Sequence, residues 1–536
     1  MAEFLHFSRD SRLYMEKDGY LWLVPVLDGF SFSQATNASE ITLNEMEDAT
    51  GRSRRGRKMF TDSLSPAEYS FSTYIRPFKA AATGSLDGGG SATTGAKAGF
   101  ADSTARHHAV EEALWVAMAG QNVYVPSTGS WTHKAAGGAI TSISSIGAAA
   151  SARTAGTYTI AVPSTGAVIS GGASQNGSNA VLKVVVNGSG AATVTVTERG
   201  TNFLTGNTIT IADSLLGGGG GAALTMVTNS SSAVTDGNSL DINFFDSNRS
   251  SLGTFNLYFV LSDRTAGRLL YRVKDAVVNE ASIDFDIDGI ATVNWSGMGG
   301  KIEEVGTGTG ATQFTAGTAK PTATGVGNLW IDTANNDSLY IATAADANSW
   351  WHAIEEGAAD TGNFIRNRLT QLTLAPEAGF RAGTTFTDSG DGSTSYEASY
   401  SVALTGGNVT ISNNISYLTP EELGSVNQPI EHVTGTRTIT GSATCYLGSS
   451  DAATNRSKNL FADLVADNTT VINKFAITLD VGGTAGVPRF SMTLPTAHLE
   501  IPSHSIEDVI SLETNFHGLG SGVGEGDEIS LKYVGP

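Results

Sequence analysis

Apolar and polar residues alternate at period two in run after run along this 536-residue chain. Phe30-Ser31-Phe32-Ser33, Ile41-Thr42-Leu43-Asn44, Tyr69 to Ile75 and the longer stretch Ser282 to Asn294 all show it, while Leu21 to Val26 is apolar throughout. Successive side chains of a strand point to opposite faces, so such runs turn one face to a core and the other to solvent. The 63 glycines, with abundant Ser, Thr, Ala and Asn, suit short strands and tight turns and disfavour long helices. The expected fold class is therefore mainly β. Two stretches break the pattern with helical spacing: Val110, Ala113, Leu114, Ala117 and Met118 in His108 to Ala119, and Leu460, Phe461, Leu464 and Val465 in Asn455 to Ala466.

Those two helices sit in a larger repeat. A hairpin-like region (Phe30 to Met46) and the strand Tyr69 to Phe78 precede the first; Val409 to Tyr417 and Thr436 to Leu447 precede the second. A strand pair follows each: Asn256 to Leu261 with Arg268 to Val273, and Lys474 to Leu479 with Arg489 to Leu494. Each half then ends in a similar hexapeptide, Asn294-Trp295-Ser296-Gly297-Met298-Gly299 and Asn515-Phe516-His517-Gly518-Leu519-Gly520. We read this as an internal duplication. The first unit covers 1–128 and 237–305, split by a Gly/Ala-rich β-module at 129–236. A small aromatic hairpin module (306–357) precedes the second unit, 358–536.

Charge narrows the function. Only 16% of residues are charged, and the net charge is −20, which does not suit gripping nucleic acid, because binding phosphates needs Lys and Arg. One cysteine, Cys445, allows no internal disulfide and points to assembly in a reducing cytoplasm. The opening Met1-Ala2-Glu3-Phe4-Leu5-His6 does not resemble a signal peptide, and no stretch approaches the ~20 apolar residues of a membrane span.

Motifs for chemistry are poor. Asp284-Phe285-Asp286-Ile287-Asp288-Gly289 matches the opening of a calcium loop, yet the twelfth position, which needs a bidentate Glu, is Trp295. It reads as an acidic strand face, with Ile283, Phe285 and Ile287 on the other side. Gly306 to Gly310 lacks the Gly-Lys-Ser/Thr and helix of a phosphate loop. His107-His108 is placed on the exposed side of a helix start. His498 and His504 with Glu500 and Glu507 form a conceivable acid/base or metal group but lack a second histidine cluster. Cys445 reads as a core filler, and no catalytic residue, metal or cofactor is expected. Arg52, Arg54, Arg55, Arg57 and Lys58 are a solvated loop, a contact that docks on an acidic surface of a neighbouring copy, or, last, a nucleic-acid contact. Trp330, Tyr340, Trp350 and Trp351 are either a small core or a glycan contact.

Val24 to Ser33, Ser39 to Met46, Arg52 to Phe60, Pro66 to Ser72 and the segment Val277 to Gly300 resemble bacteriophage tail tube proteins. The resemblance covers roughly 1–125, 237–305 and 360–536. It implies β-sandwich or barrel-like domains with a helix on the flank, six of which close a ring around a lumen. With two such domains per chain, three copies would make a pseudo-hexameric homotrimer, stacked head to tail. It also implies passage of DNA and a tape measure protein through the lumen, contacts with tail terminator and baseplate or distal tail proteins, and a place in the virion tail. We place Asp284, Asp286, Asp288, Glu507 and Glu513 on the lumen, where they would repel phosphate. The rivals are a carbohydrate-binding or adhesive virion protein, another tail or baseplate structural protein, and a glycan hydrolase, which would need paired carboxylates in a cleft.

Overall fold

The computed structural model describes residues 6–40, 50, 59–79, 107–120, 122–125, 130–133, 140–171, 177–201, 203–230, 234–235, 240–244, 252–262, 267–308, 313–334, 336–347, 349–351, 364–376, 400–421, 426–448, 457–466, 475–482, 489–506, 508–520 and 526–534. The first half contains β1 (Ser11–Lys17), β2 (Tyr20–Val24), β3 (Ser31–Glu40), β4 (Met59–Tyr74), α1 (Glu112–Ala119), β5 (Leu240–Asn243), β6 (Phe255–Ser262), β7 (Arg268–Asp286), β8 (Thr292–Gly299) and β9 (Lys301–Glu304). The second contains β10 (Gln371–Pro376), β11 (Tyr400–Val402), β12 (Leu404–Ser412), β13 (Thr438–Tyr446), α2 (Ser457–Ala466), β14 (Phe475–Val481), β15 (Arg489–Leu499), β16 (Ser503–Ile506), β17 (Ile510–Leu519) and β18 (Ser530–Val534). The chain is mainly β, as its alternation implies.

Strands pair in the same order in both halves. An outer sheet runs β2-β1-β6-β7-β9 in the first and β11-β10-β14-β15-β18 in the second. An inner sheet runs β3-β4-β8-β7 in the first and β12-β13-β17-β15/β16 in the second. The long strand β7 belongs to both sheets because it is bulged. Register shifts opposite Phe255 and Val278 leave Asp275 (φ 53°) and Asn279 as extra residues, and bulges bend a strand from one sheet into the next. In the second half the same path is broken instead at Pro502, which cannot donate to a ladder. A similar local cause shapes the first hairpin, where the β3–β4 register slips beside Pro66.

The two sheets of each half bury one face against the other. Tyr69, Phe71, Trp295, Ile283 and Phe285 lie beneath the inner sheet in one continuous core that also holds Leu13, Met15, Leu257, Phe259, Phe490 and Tyr533. Aromatic rings lie across glycine here. A Cβ at Gly297 would sit 2.2 Å from the Tyr69 hydroxyl, which donates to Val277 O at 2.9 Å; one at Gly441 would sit 2.2 Å from Phe516.

Several expectations are corrected. Ser282 to Asn294 is a hairpin, β7 turning into β8, and Ile287 in the turn is exposed rather than inward. His107-His108-Ala109 is a buried strand paired with Pro77–Lys79, not an exposed helix start; the helix begins at Glu112. Trp131, on the strand pair Asn122–Val125 and Ser130–His133, packs 5.0 Å from Trp22 in the main core. A separate core begins at Ile140. It lies between a four-stranded and a three-stranded sheet, pinned by buried Arg153, whose guanidinium donates to the carbonyls of Ala148, Gly190, Ala222 and Ala223. The aromatic module packs against the first half. Trp351 Nε1 donates to Leu21 O at 2.9 Å, Leu339 N donates to the Tyr14 hydroxyl at 3.1 Å, and Arg268 Nε meets Asp337 at 2.7 Å. Trp330, Tyr340 and Trp350 form a small core, so the glycan-contact reading of these rings gives way to packing.

Candidate functional site: a polar sheet face, a seam and two open edges

The inner sheets of the two halves are one sheet. β7 pairs β12 from Glu280↔Ser412 to Asp286↔Gly406, giving the order β3-β4-β8-β7-β12-β13-β17-β16. The bulge residue Asn279 anchors the join. Its carbonyl accepts from Asn413 N and its side chain from Ile415 N, both at 2.8 Å.

One face of this sheet is the core side; the other is largely polar, with Met298 and Tyr446 among its apolar exceptions. Ser31 and Ser70 hydroxyls meet at 2.8 Å, Ser72 donates to Asn294 at 2.7 Å, and Asn294 donates to Asp284 at 3.1 Å. Thr410 bridges to Ser282 at 3.3 Å, Ser442 donates to Asn408 at 3.3 Å, and Asn515 donates to Glu500 at 3.0 Å. Such cross-strand pairs stabilise the sheet while leaving its surface hydrated. Glu68, Asp284, Asp286, Glu500 and Glu513 are among its exposed carboxylates. Among the described residues, β3, β4, β8, β12, β13, β16 and β17, with the Glu280–Asp286 stretch of β7 and the 496–499 stretch of β15, contain no lysine or arginine. The Asn515 amide and the His517 ring, 3.3 Å away, hold the Glu500 carboxyl below its usual range.

The expected lumen residues divide accordingly. Asp284, Asp286 and Glu513 project from the polar face. Asp288 sits in the β7–β8 turn, 3.7 Å from Arg368 with both side chains largely exposed, and Glu507 lies outside the described residues. Arg52, Arg54, Arg55, Arg57 and Lys58 lie outside them as well. Glu68 and Glu500 were missed; the available signal was parity, since Tyr69 and Leu499 beside them point inward. Glu500 meets His517, which pairs across the ladder with His498, while His504 packs apart on Phe461 at 4.5 Å. Among the described residues no group of three or more His, Cys, Asp or Glu could hold a metal. Cys445 is buried, and burial pushes its thiol up to about 11.

Helix α1 covers the seam. Asn413 Nδ2 donates to Met118 O at 3.1 Å and Arg437 Nη2 to Ala119 O at 3.4 Å, so second-half residues satisfy the helix's last carbonyls. Arg437 also pairs with Glu528 at 3.4 Å and stacks 4.9 Å from Phe244. Trp115 packs on Trp295 at 4.5 Å and donates to the Tyr533 hydroxyl at 2.6 Å, which donates to Glu111 at 2.8 Å. Burial raises the Glu111 carboxyl to about 7. His108 Nδ1 lies 3.0 Å from Glu112, the buried contact that replaces the expected exposed position. Every residue of α1 is buried, and all but Glu112 are apolar.

The two ends of the inner sheet are open. Among the described residues β3 pairs only β4, and β16 pairs only β17. Beside the β16 edge, Ile501, Ile506 and Val509 are 60%, 77% and 57% exposed, and Val465 of α2 is 51% exposed.

No family model matches the chain. It is similar to the tail tube protein pb6 of Escherichia phage T5, with 27% identity over 299 residues, 55% of this chain. The match spans 51% of that protein, so the chain spans about half the length of the curated relative it matches. The resemblance to phage tail tube proteins read from the sequence is borne out by this relative. Among the described residues no helix is long and apolar enough to cross a membrane.

Proposed function

We propose that the chain is a structural, non-catalytic subunit of a phage tail tube, and that three copies close into a ring of six similar lobes. The observation that carries this reading is the β7–β12 seam. β3 is the counterpart of β12, and β15–β16 that of β7, so the two open edges match the two strands already joined inside the chain. Phe32 pairs Tyr69 as Ile411 pairs Ile439, and Leu499 pairs Phe516 as Ala281 pairs Trp295. A contact between copies would repeat the internal one and remove the exposed edges, which otherwise invite aggregation.

In such a ring the polar face lines the lumen. Its hydrated hydroxyls and carboxylates (Asp284, Asp286 and Glu513, with Glu68, Glu500 and, from sequence, Glu507) would repel the phosphate backbone and let DNA and a tape measure protein slide through. Head-to-tail contacts between rings are heterologous and propagate into a tube. The loop carrying Arg52, Arg54, Arg55, Arg57 and Lys58 would dock on an acidic surface of the next ring. Tail terminator and baseplate or distal tail proteins would meet the two tube ends, with assembly in the host cytoplasm.

Electron microscopy with mass measurement of rings tests the stoichiometry. Three chains with six lobes are expected; six chains would keep the tube and discard the two-lobe reading. Ser31 and Glu500 correspond to the facing pair Thr410 and Ser282. Ser31→Cys with Glu500→Cys should therefore form, on oxidation, a covalent closed trimer. Assembled tubes that yield only uncrosslinked monomers would sink the edge pairing.

A further inference from the structure

A polar cavity of about 420 Å³ lies where the aromatic module docks on the first outer sheet, lined among others by Arg9, Asp10, Arg12, Ser262, Arg268 and Asp337. Three arginines line it, on a chain of net charge −20. The two carboxylates of the lining, Asp10 and Asp337, leave one positive charge of the three unmatched. Asp337 is buried, with one carboxylate oxygen taking Arg268 Nε at 2.7 Å and the other taking the Ser262 hydroxyl. Arg12 is held by uncharged hydroxyls, donating to Ser338 Oγ at 3.3 Å and to Tyr14. Arg9 lies over an apolar partner, 5.4 Å from the Phe7 ring.

A guanidinium offers five N–H donors in a planar fork whose geometry matches a carboxylate or phosphate. Arg12, positioned by hydroxyls, and the exposed Arg9, beside Arg268 already fixed by a buried carboxylate, leave a surplus of one positive charge after Asp10 and Asp337 are counted. We propose that this cavity is a receptor for a single oxyanion, a carboxylate or phosphate group, gripped by Arg9 and Arg12 with Arg268 as fixed support. The group comes either from a carboxylate side chain of a neighbouring copy or from a free phosphate.

Titrating inorganic phosphate into the unassembled full chain by calorimetry tests the site without reference to tube formation. Saturable binding of one phosphate per chain is expected, weakened at least about tenfold by Arg9→Gln or Arg12→Gln. Arg9 lies on the surface, so Arg9→Gln should leave the melting temperature unchanged, which separates loss of the site from loss of the fold. Absence of saturable binding, or binding that both variants keep at wild-type strength, would overturn the proposal. The same titration on assembled tubes identifies the source. Binding that disappears on assembly supports a carboxylate of a neighbouring copy, and binding that persists supports a free phosphate.

Discussion

The β7–β12 seam and the β15–β16 edge are the same element in two circumstances. At the seam β7 meets β12, and α1 lies over the join, buried along its whole length and tied to the second half through Asn413 and Arg437. At the edge, β16 meets no further strand among the described residues, α2 exposes Val465, and Ile501, Ile506 and Val509 face solvent. The difference teaches that the apolar residues left exposed at the edge lie where the next copy would sit under the proposed ring. A monomer completes one of its joins and leaves the other open.

Substitutions should separate the two joins, beginning with the largest effect. Trp115→Ala, which removes the ring between Trp295 and Tyr533, should lower the stability of the unassembled chain by about 3–5 kcal/mol, read from denaturant unfolding. A loss below about 1 kcal/mol would show that α1 is not what holds the seam. Arg437→Ala removes a helix-capping donor and leaves Glu528 buried without its cation, and should cost about 3 kcal/mol in the same assay.

A pH series addresses the seam more gently. The folded Glu111 carboxyl is raised from 4.5 to about 7 by burial, so the folded chain binds this proton more tightly than the unfolded one. Its contribution is full below about 4.5, declines as pH rises to about 7, and is constant above. Glu111→Gln keeps an acceptor for Tyr533 and should flatten that decline in the urea midpoint between pH 5 and 8; an unchanged slope would place its cause elsewhere. The smallest effect on the monomer belongs to the open edge. Val465→Asp should change unfolding stability by no more than about 0.5 kcal/mol. It should nevertheless abolish rings seen by electron microscopy, whereas normal rings would mean that α2 lies outside the contact between copies.

Much of this was legible in the residues. The strands at Phe30, Tyr69, Val409 and Thr436, and the twin hexapeptides, stand where alternation places them, because the period of two is local to each strand. Misreadings came where distant partners decided. His107-His108 carries helical neighbours, yet it pairs with Pro77–Lys79 and contacts Glu112, a buried environment that no local spacing reveals. Ile287 continues the alternation in letters but lies past the end of β7, where the chain turns. Glu68 and Glu500 were overlooked because single carboxylates in Ser/Thr-rich strands stand out less than the Asp284-Phe285-Asp286 run.

By itself the sequence determined that the chain would be built of strands, which residues in each share a face, and that two stretches follow one plan. These properties arise from covalent geometry and short-range packing. Only the tertiary structure decided that β7 joins β12, that α1 is enclosed by residues of both halves, and that the aromatic module seats on Tyr14 and Leu21. Those outcomes depend on hydrogen bonds and burial between residues more than a hundred positions apart, whose free energy is settled only when all the strands compete for the same edges.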